Sequence, residues 1–120
     1  MERKGSGYPR RKRITTGAEL QRVRQMGRRW RTEHLDVRAT ASPLSFARSG
    51  LVVPKHGKTA VERNKLKRRL RELVRTMILG SSEIRGVDLV IRALPAAYSA
   101  SFDELEQQVA GIARRLSASA

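Results

Sequence analysis

Hydrophobic residues recur along this 120-residue chain in two periods, and the switches between them mark out seven elements. The strongest helical run is 60–79, A-V-E-R-N-K-L-K-R-R-L-R-E-L-V-R-T-M-I-L. Leu66, Leu70, Leu73, Val74 and Met77 fall at i, i+4, i+7, i+8 and i+11, the spacing of one buried stripe. A shorter helix is predicted to end near Met26. It opens on T-G-A-E, a capping box in which the Thr16 hydroxyl accepts from the backbone N–H of Glu19 and the Glu19 carboxylate returns the bond. Leu20 and Val23 point inward, and Gly27 suits the left-handed position after the last turn. The last helix opens on a second box, S-F-D-E from Ser101, with Phe102, Leu105, Val109, Ile112, Ala113 and Leu116 as its inward stripe.

Between these helices the period drops to two. In 28–40, Trp30 and Thr32 alternate with Arg29 and Arg31, and Leu35, Val37 and Ala39 alternate with Asp36 and Arg38. This is a half-buried strand pattern broken near Glu33 and His34. A turn at S-P-L-S leads to a strand over 46–53, ended by Pro54, which lacks the N–H for further pairing. V-D-L-V-I-R-A, from Val87, is nearly all apolar, as a strand covered on both faces would be. The order α-β-β-β-α-β-α places a helix between two strands, a split βαβ unit on a mixed sheet, and predicts an α+β fold. Residues 1–13, with Gly5, Gly7 and Pro9, are expected to form a flexible basic tail. Residues 14–117 suffice for one domain with a modest core.

Charge changes this picture. The chain carries 26 Lys plus Arg against 11 Asp plus Glu, a net charge of +15. Residues 1–13 hold six basic and one acidic side chain, 14–54 seven and three, 55–75 nine and two, and 76–120 four and five. The cations are thus concentrated in the tail and the central helix. On that helix, at about 100° per residue, Asn64, Lys67, Arg68, Arg71 and Arg75 share a face opposite the apolar stripe. A solvated face usually mixes signs. A single-sign face repels itself and points to a polyanionic partner. Lys65, Arg69 and Glu72 form a third strip, and Arg63 sits where it can reach past the helix start. Lys55, His56 and Lys58 form a basic loop before the helix.

Other chemistries are poorly supported. No cysteine is present, which removes thiolate zinc sites and thiol nucleophiles and fits a cytoplasmic protein. No apolar run approaches the roughly 20 residues of a membrane span, and no signal peptide is suggested. Gly57-Lys58-Thr59 resembles the end of a phosphate-binding P-loop, but the glycine required five positions earlier is replaced by Val52. His34, placed in a strand, reads as structural, and His56 as a solvated or phosphate-facing loop residue. No acid/base pair, triad or metal cage emerges, so no catalysis is expected of the chain alone. Aromatics are few, Tyr8, Trp30, Phe46, Tyr98 and Phe102, which argues against a binder dominated by base stacking.

The stretch 60–72, A-V-E-R-N-K-L-K-R-R-L-R-E, after the strand G-L-V-V-P-K-H, resembles the bacterial ribonuclease P protein subunit. That family has an Arg-Asn-Arg core followed by Lys-Arg and a further Arg one turn on. Arg63, Asn64, Lys67, Arg68 and Arg71 fill those places, while Lys65 stands where Arg is usual, which keeps the charge and loses the bidentate fork. The resemblance covers about residues 11–116 and is specific around the central helix. It implies a four-stranded sandwich of the ribosomal-protein-S5-domain-2-like kind, with a left-handed crossover between parallel strands, against the general rule.

The resemblance also implies a task. The family's protein binds a large catalytic RNA that removes the 5′ leader of precursor tRNA with magnesium ions. No DNA or membrane partner is implied. Arg63, Asn64, Lys65, Lys67, Arg68, Arg71 and Arg75 would approach RNA, with Lys55, His56, Lys58, Arg11, Lys12 and Arg13 beside them. A cleft between the first helix and the sheet would hold the leader, with Leu20, Arg24, Leu35 and Arg38 as its residues. Leu20, Arg24 and Arg38 stand where the family often has aromatics, and Arg can both stack on a base and bind phosphate. Two other classes remain as alternatives: a basic ribosomal or assembly protein that only packs on RNA, and a self-sufficient nuclease. The R-N-K-L-K-R spacing disfavours the first, and the missing carboxylate cluster the second.

Overall fold

A computed structural model describes residues 10–118. A 3-10 turn over Arg10–Lys12 leads to helix α1 (Gly17–Met26) and strands β1 (Arg28–Arg31), β2 (Leu35–Ala41) and β3 (Arg48–Val52). Helix α2 (Ala60–Val74), strand β4 (Val87–Ala93) and helix α3 (Phe102–Ala118) complete the fold. The strands form one mixed sheet in the order β1-β2-β4-β3. β1 and β2, and β2 and β4, are antiparallel, while β3 and β4 are parallel. Helix α2 therefore carries the chain between adjacent parallel strands of an α+β fold.

Side chains alternate across the sheet. Leu35, Val37 and Ala39 of β2 and Leu89, Ile91 and Ala93 of β4 face the main core, where they meet Leu66, Leu70 and Leu73 of α2 and Leu105, Val109 and Ile112 of α3. The other face carries Asp36, Arg38, Asp88, Val90 and Arg92. Helix α1 covers only part of it, through a small cluster of Val23, Ile14 and Val90 with Leu20 and Val52 at its edge. The rest of that face stays open.

Several expectations are corrected. Residues 1–9 of the expected flexible tail lie outside the described residues, but 10–13 are ordered. Arg13 bridges Ser49 in parallel, and the Ile14 N–H donates to the Ser49 carbonyl at 3.0 Å. β3 is shorter than 46–53, and Phe46 lies outside it. The central helix is not α-helical to its end. Arg75–Leu79 forms a π-helical segment, whose wider turn moves the inward stripe from half-buried Met77 to buried Ile78 and Leu79. Gly27 is extended, at φ −82° and ψ 158°. A Cβ there would stand 2.5 Å from the Val23 carbonyl oxygen and 2.9 Å from that of Ala39, so close approach, not a left-handed turn, demands glycine. Phe102 is 40% exposed and leaves the α3 stripe. His34 lies in the bend between β1 and β2, buried against Gln108 of α3.

Candidate nucleic-acid interface

The first cationic surface is built by α2 alone. Thr59 caps the helix: its hydroxyl accepts from the Glu62 N–H at 3.1 Å, and the Glu62 carboxylate accepts from the Thr59 N–H at 2.9 Å. That backbone donor holds the Glu62 carboxyl below its ordinary value. The same T-x-x-E spacing that marks Thr16 was available here as a signal. At Thr16 the return bond from the backbone N–H is missing: the Glu19 carboxylate accepts instead from the Thr16 hydroxyl at 3.3 Å and from Arg48 at 2.8 Å. Asn64, Lys65, Arg68 and Arg71 are exposed on α2, and Lys67 is half-buried. Lys65, Lys67, Arg68 and Arg71 have no acidic partner among the described residues, which leaves their charge for another molecule. Arg75 differs from the expected single-sign face. Its Nη2 lies 2.6 Å from the Glu72 carboxylate, and the contact lowers the Glu72 pKa and raises that of Arg75. Arg63 reaches back past the helix start and donates from Nε to the Val53 carbonyl at 2.7 Å.

Flanking segments extend this surface. Lys55, His56 and Lys58 occupy a tight turn closed by the Lys58 N–H on the Lys55 carbonyl at 2.8 Å. His56 and Gly57 have φ of 48° and 79°. The His56 Nε2 lies 3.3 Å from the Ala93 carbonyl oxygen, and its ring meets Tyr98 edge-on. One ring nitrogen is thus occupied by the fold. Arg11 and Lys12 stand over the Phe46 ring, 5.2 and 5.9 Å from its centroid. Phe46 thus seats two cations of the amino-terminal segment. A groove of about 330 Å³ joins that segment to α2, with Arg13, Leu20, Lys67 and Arg71 in its walls.

The second surface is a cleft of about 220 Å³ between α1 and the open sheet face, lined by Arg24, Asp36, Arg38, Val52, Val90 and Arg92. The Arg38 Nη1 donates to the Arg24 carbonyl at 2.9 Å, tying β2 to the end of α1. Arg29 and Arg31 pair in register opposite Arg38 and Asp36, which puts them on the same face. Arg29 binds Asp36 at 3.3 Å, and Arg31 stands 3.9 Å away. Arg24, Arg38 and Arg92 thus line the cleft with a single carboxylate, which Arg29 and Arg31 pair from beside it, and the cleft is net cationic in an apolar frame of Val52 and Val90.

The profile of the Ribonuclease P family matches residues 8–117 of the chain. The chain belongs to the ribonuclease P protein family. It is 41% identical to the ribonuclease P protein component of Kocuria rhizophila over 97 residues, covering 81% of this chain and 84% of that one. It is 43% identical to that of Rhodococcus opacus over 99 residues, covering 79% and 78%. The ribonuclease P protein of Staphylococcus aureus has the same fold, with a TM-score of 0.75 at 26% identity, covering 88% of this chain and 97% of that one. The protein from Thermotoga maritima shares the fold at a TM-score of 0.73 and 22% identity, over 86% and 96%. The chain is thus a protein subunit of the ribonuclease P ribonucleoprotein, an RNA-based enzyme of tRNA processing.

Within this ribonuclease P protein the structure brings Arg24 and Arg38 together in the cleft and separates two of the residues expected there. Leu35 is fully enclosed in the main core on the opposite sheet face, so it cannot line the cleft. Leu20 packs in the small cluster and borders the groove toward α2 instead. Arg29, Arg31 and Arg92 were missed as a group. Strand alternation marked Arg29 and Arg31 as polar positions, but only the register reveals that they share a face with Arg38 and Arg92. Among the described residues no three His, Asp or Glu side chains converge as metal ligands, and no helix is long and apolar enough to cross a membrane.

Proposed function

We propose that this ribonuclease P protein binds the catalytic RNA through the α2 face and the adjoining segments, and receives the 5′ leader of precursor tRNA in the cleft beside α1. Arg68, Arg71, Lys65 and Lys67, with Asn64, neutralise and position RNA phosphates. Arg63 sets the start of α2 and leaves part of its guanidinium for RNA, while Arg75 is shared with Glu72. Lys55, His56, Lys58, Arg11, Lys12 and Arg13 extend the track. In the cleft, Arg24 and Arg38 take phosphate or stack on unpaired bases. The observation that carries this reading is the pairing of a helix whose cations have no acidic partner among the described residues with a separate arginine-lined cleft.

Among the described residues no three His, Asp or Glu side chains converge on a site for a magnesium ion. The most enclosed carboxylate among them, Asp88, is occupied by arginines. In this reading the magnesium ions belong to the RNA, the protein contributes affinity and orientation, and the complex works in the cytoplasm. Residues 10–118 act as one RNA-binding domain that includes the end of the basic segment.

Reconstitution tests the proposal: the chain with catalytic RNA, the RNA alone and the chain alone, each with leader-bearing precursor tRNA at low magnesium. Cleavage is expected only with both present. Cleavage by the chain alone would overturn the reading, and equal cleavage by the RNA alone would reduce the protein to packing.

A further inference from the structure

Asp88 is the most enclosed charged residue among the described residues, with no measurable exposure. It sits in the apolar run of β4, where an uncompensated carboxylate would be costly to bury. Two arginines compensate it. Arg48, its register partner on β3, donates from Nε at 3.0 Å and from Nη2 at 2.8 Å. Arg22 of α1 donates from Nη2 at 2.5 Å. The remaining arm of Arg48 reaches Glu19 of α1 at 2.8 Å, and the bond to Asp88 is the largest influence raising the Arg48 pKa. A single carboxylate thus joins two parallel strands to two points on α1.

Helix α1 otherwise rests on the small cluster of Val23 and Leu20 with Ile14, Val52 and Val90, and on the Arg38 bond to its last turn. Val23 is its only buried residue. Arg24 follows directly and forms the cleft wall, with its carbonyl bound by Arg38. Any shift of α1 relative to the sheet therefore changes the separation of Arg24 from Arg38 and Arg92.

We propose that Asp88 is a positioning residue for the cleft: by fastening α1 to β3 and β4 through Arg22, Arg48 and Glu19, it sets the gap across which the leader is held, without touching RNA. Its functional consequence rests on the leader-binding reading above. Enclosed and anionic, Asp88 cannot itself contact a phosphate. Charge alone would act in the opposite direction. Removing the Asp88 carboxylate makes the protein more positive, which favours binding of every RNA, whereas a loosened α1 weakens binding of the leader alone.

The test uses Asp88→Asn in reconstituted holoenzyme, with precursor tRNA carrying a leader or none. The chain has no cysteine, so Gln25→Cys on α1 and Glu106→Cys on α3, both exposed, accept spin labels for a distance measurement. Asp88→Asn is expected to leave affinity for catalytic RNA undiminished. It should lower the leader-bearing to leaderless affinity ratio by about fivefold or more and broaden the label distance. An unchanged distance distribution overturns the positioning role. A broadened distribution with an unchanged ratio overturns its link to leader binding. If wild-type holoenzyme does not discriminate the two precursors, the leader reading fails, and the distance measurement alone decides whether Asp88 places α1. Should Asp88→Asn not fold, Arg22→Met carries both readouts, and Arg22→Lys is expected to restore most of the ratio.

Discussion

The cations of α2 and the cations of the cleft offer the same chemistry but are organised at different ranges of the chain. Asn64, Lys65, Arg68 and Arg71 sit on one helix, whose 3.6-residue turn fixes their spacing before any tertiary contact forms. The cap at Thr59 and the stripe through Leu66 and Leu70 then anchor that helix. The cleft draws Arg24 from α1, Arg29 and Arg31 from β1, Arg38 from β2 and Arg92 from β4. Sheet register relates the strand arginines to one another. Their distance from Arg24 exists only when α1 is docked on the sheet, and α1 buries one residue while α2 buries four. A surface of the first kind is as durable as its helix. One of the second kind is as durable as its weakest docking contact.

The most forceful way to break this contrast is to remove what both surfaces share. Leu70 is fully enclosed between α2, the sheet and α3. Leu70→Ala is expected to destabilise the fold by about 2–5 kcal/mol, measured by urea denaturation. Both surfaces should be lost in one transition. Loss of leader discrimination well before loss of catalytic-RNA binding in this variant would show that the core is not their common support.

A narrower pair of substitutions separates the surfaces. Arg24→Ala with Arg38→Ala should lower affinity for leader-bearing precursor by about 1.5–3 kcal/mol, the range for hydrogen bonds to charged groups, and leave leaderless precursor unaffected. An equal loss on both substrates would place these arginines outside leader binding. On α2, Arg68→Ala and Arg71→Ala should each flatten the log–log salt dependence of RNA binding by about 0.7–0.9. Between 50 and 200 mM salt that amounts to roughly a threefold change in affinity. Unchanged slopes would assign the two arginines a structural role.

The same difference in range decided what could be read in the sequence. Helical periodicity exposed the stripe and the basic face of α2, because both are local. The α-β-β-β-α-β-α order was legible because each element carries its own period and its own breakers. The π turn was not, since its wider geometry is set by where Ile78 and Leu79 find the core. Leu35 was assigned to the cleft through the family resemblance, although strand alternation sets it on the face opposite Arg38. Asp88 was passed over within an apolar strand, because its partners Arg48 and Arg22 lie 40 and 66 residues away. Arg92 is equally remote from Arg38 in the chain and stands near it only through the β2–β4 register.

The smallest effect concerns the cap that starts the α2 surface. The Glu62 carboxyl is held below its usual value of 4.5, chiefly by the Thr59 N–H. A group with a lowered folded pKa stabilises fully above its unfolded value, and the contribution is lost as pH falls through the folded one. Glu104, bound by the Ser101 N–H at the start of α3, behaves alike. Thermal stability should therefore decline as pH is lowered below 4.5, and the decline should be shallower in Glu62→Gln and in Glu104→Gln, whose amides can accept the same bond without titrating. Only Glu62→Gln alters the helix start that carries Arg63 and Asn64, so only this variant should change the acid dependence of catalytic-RNA binding. If Glu104→Gln changes it equally, the α2 surface depends on the stability of the whole domain and not on its own cap, and the contrast between local and assembled surfaces is lost.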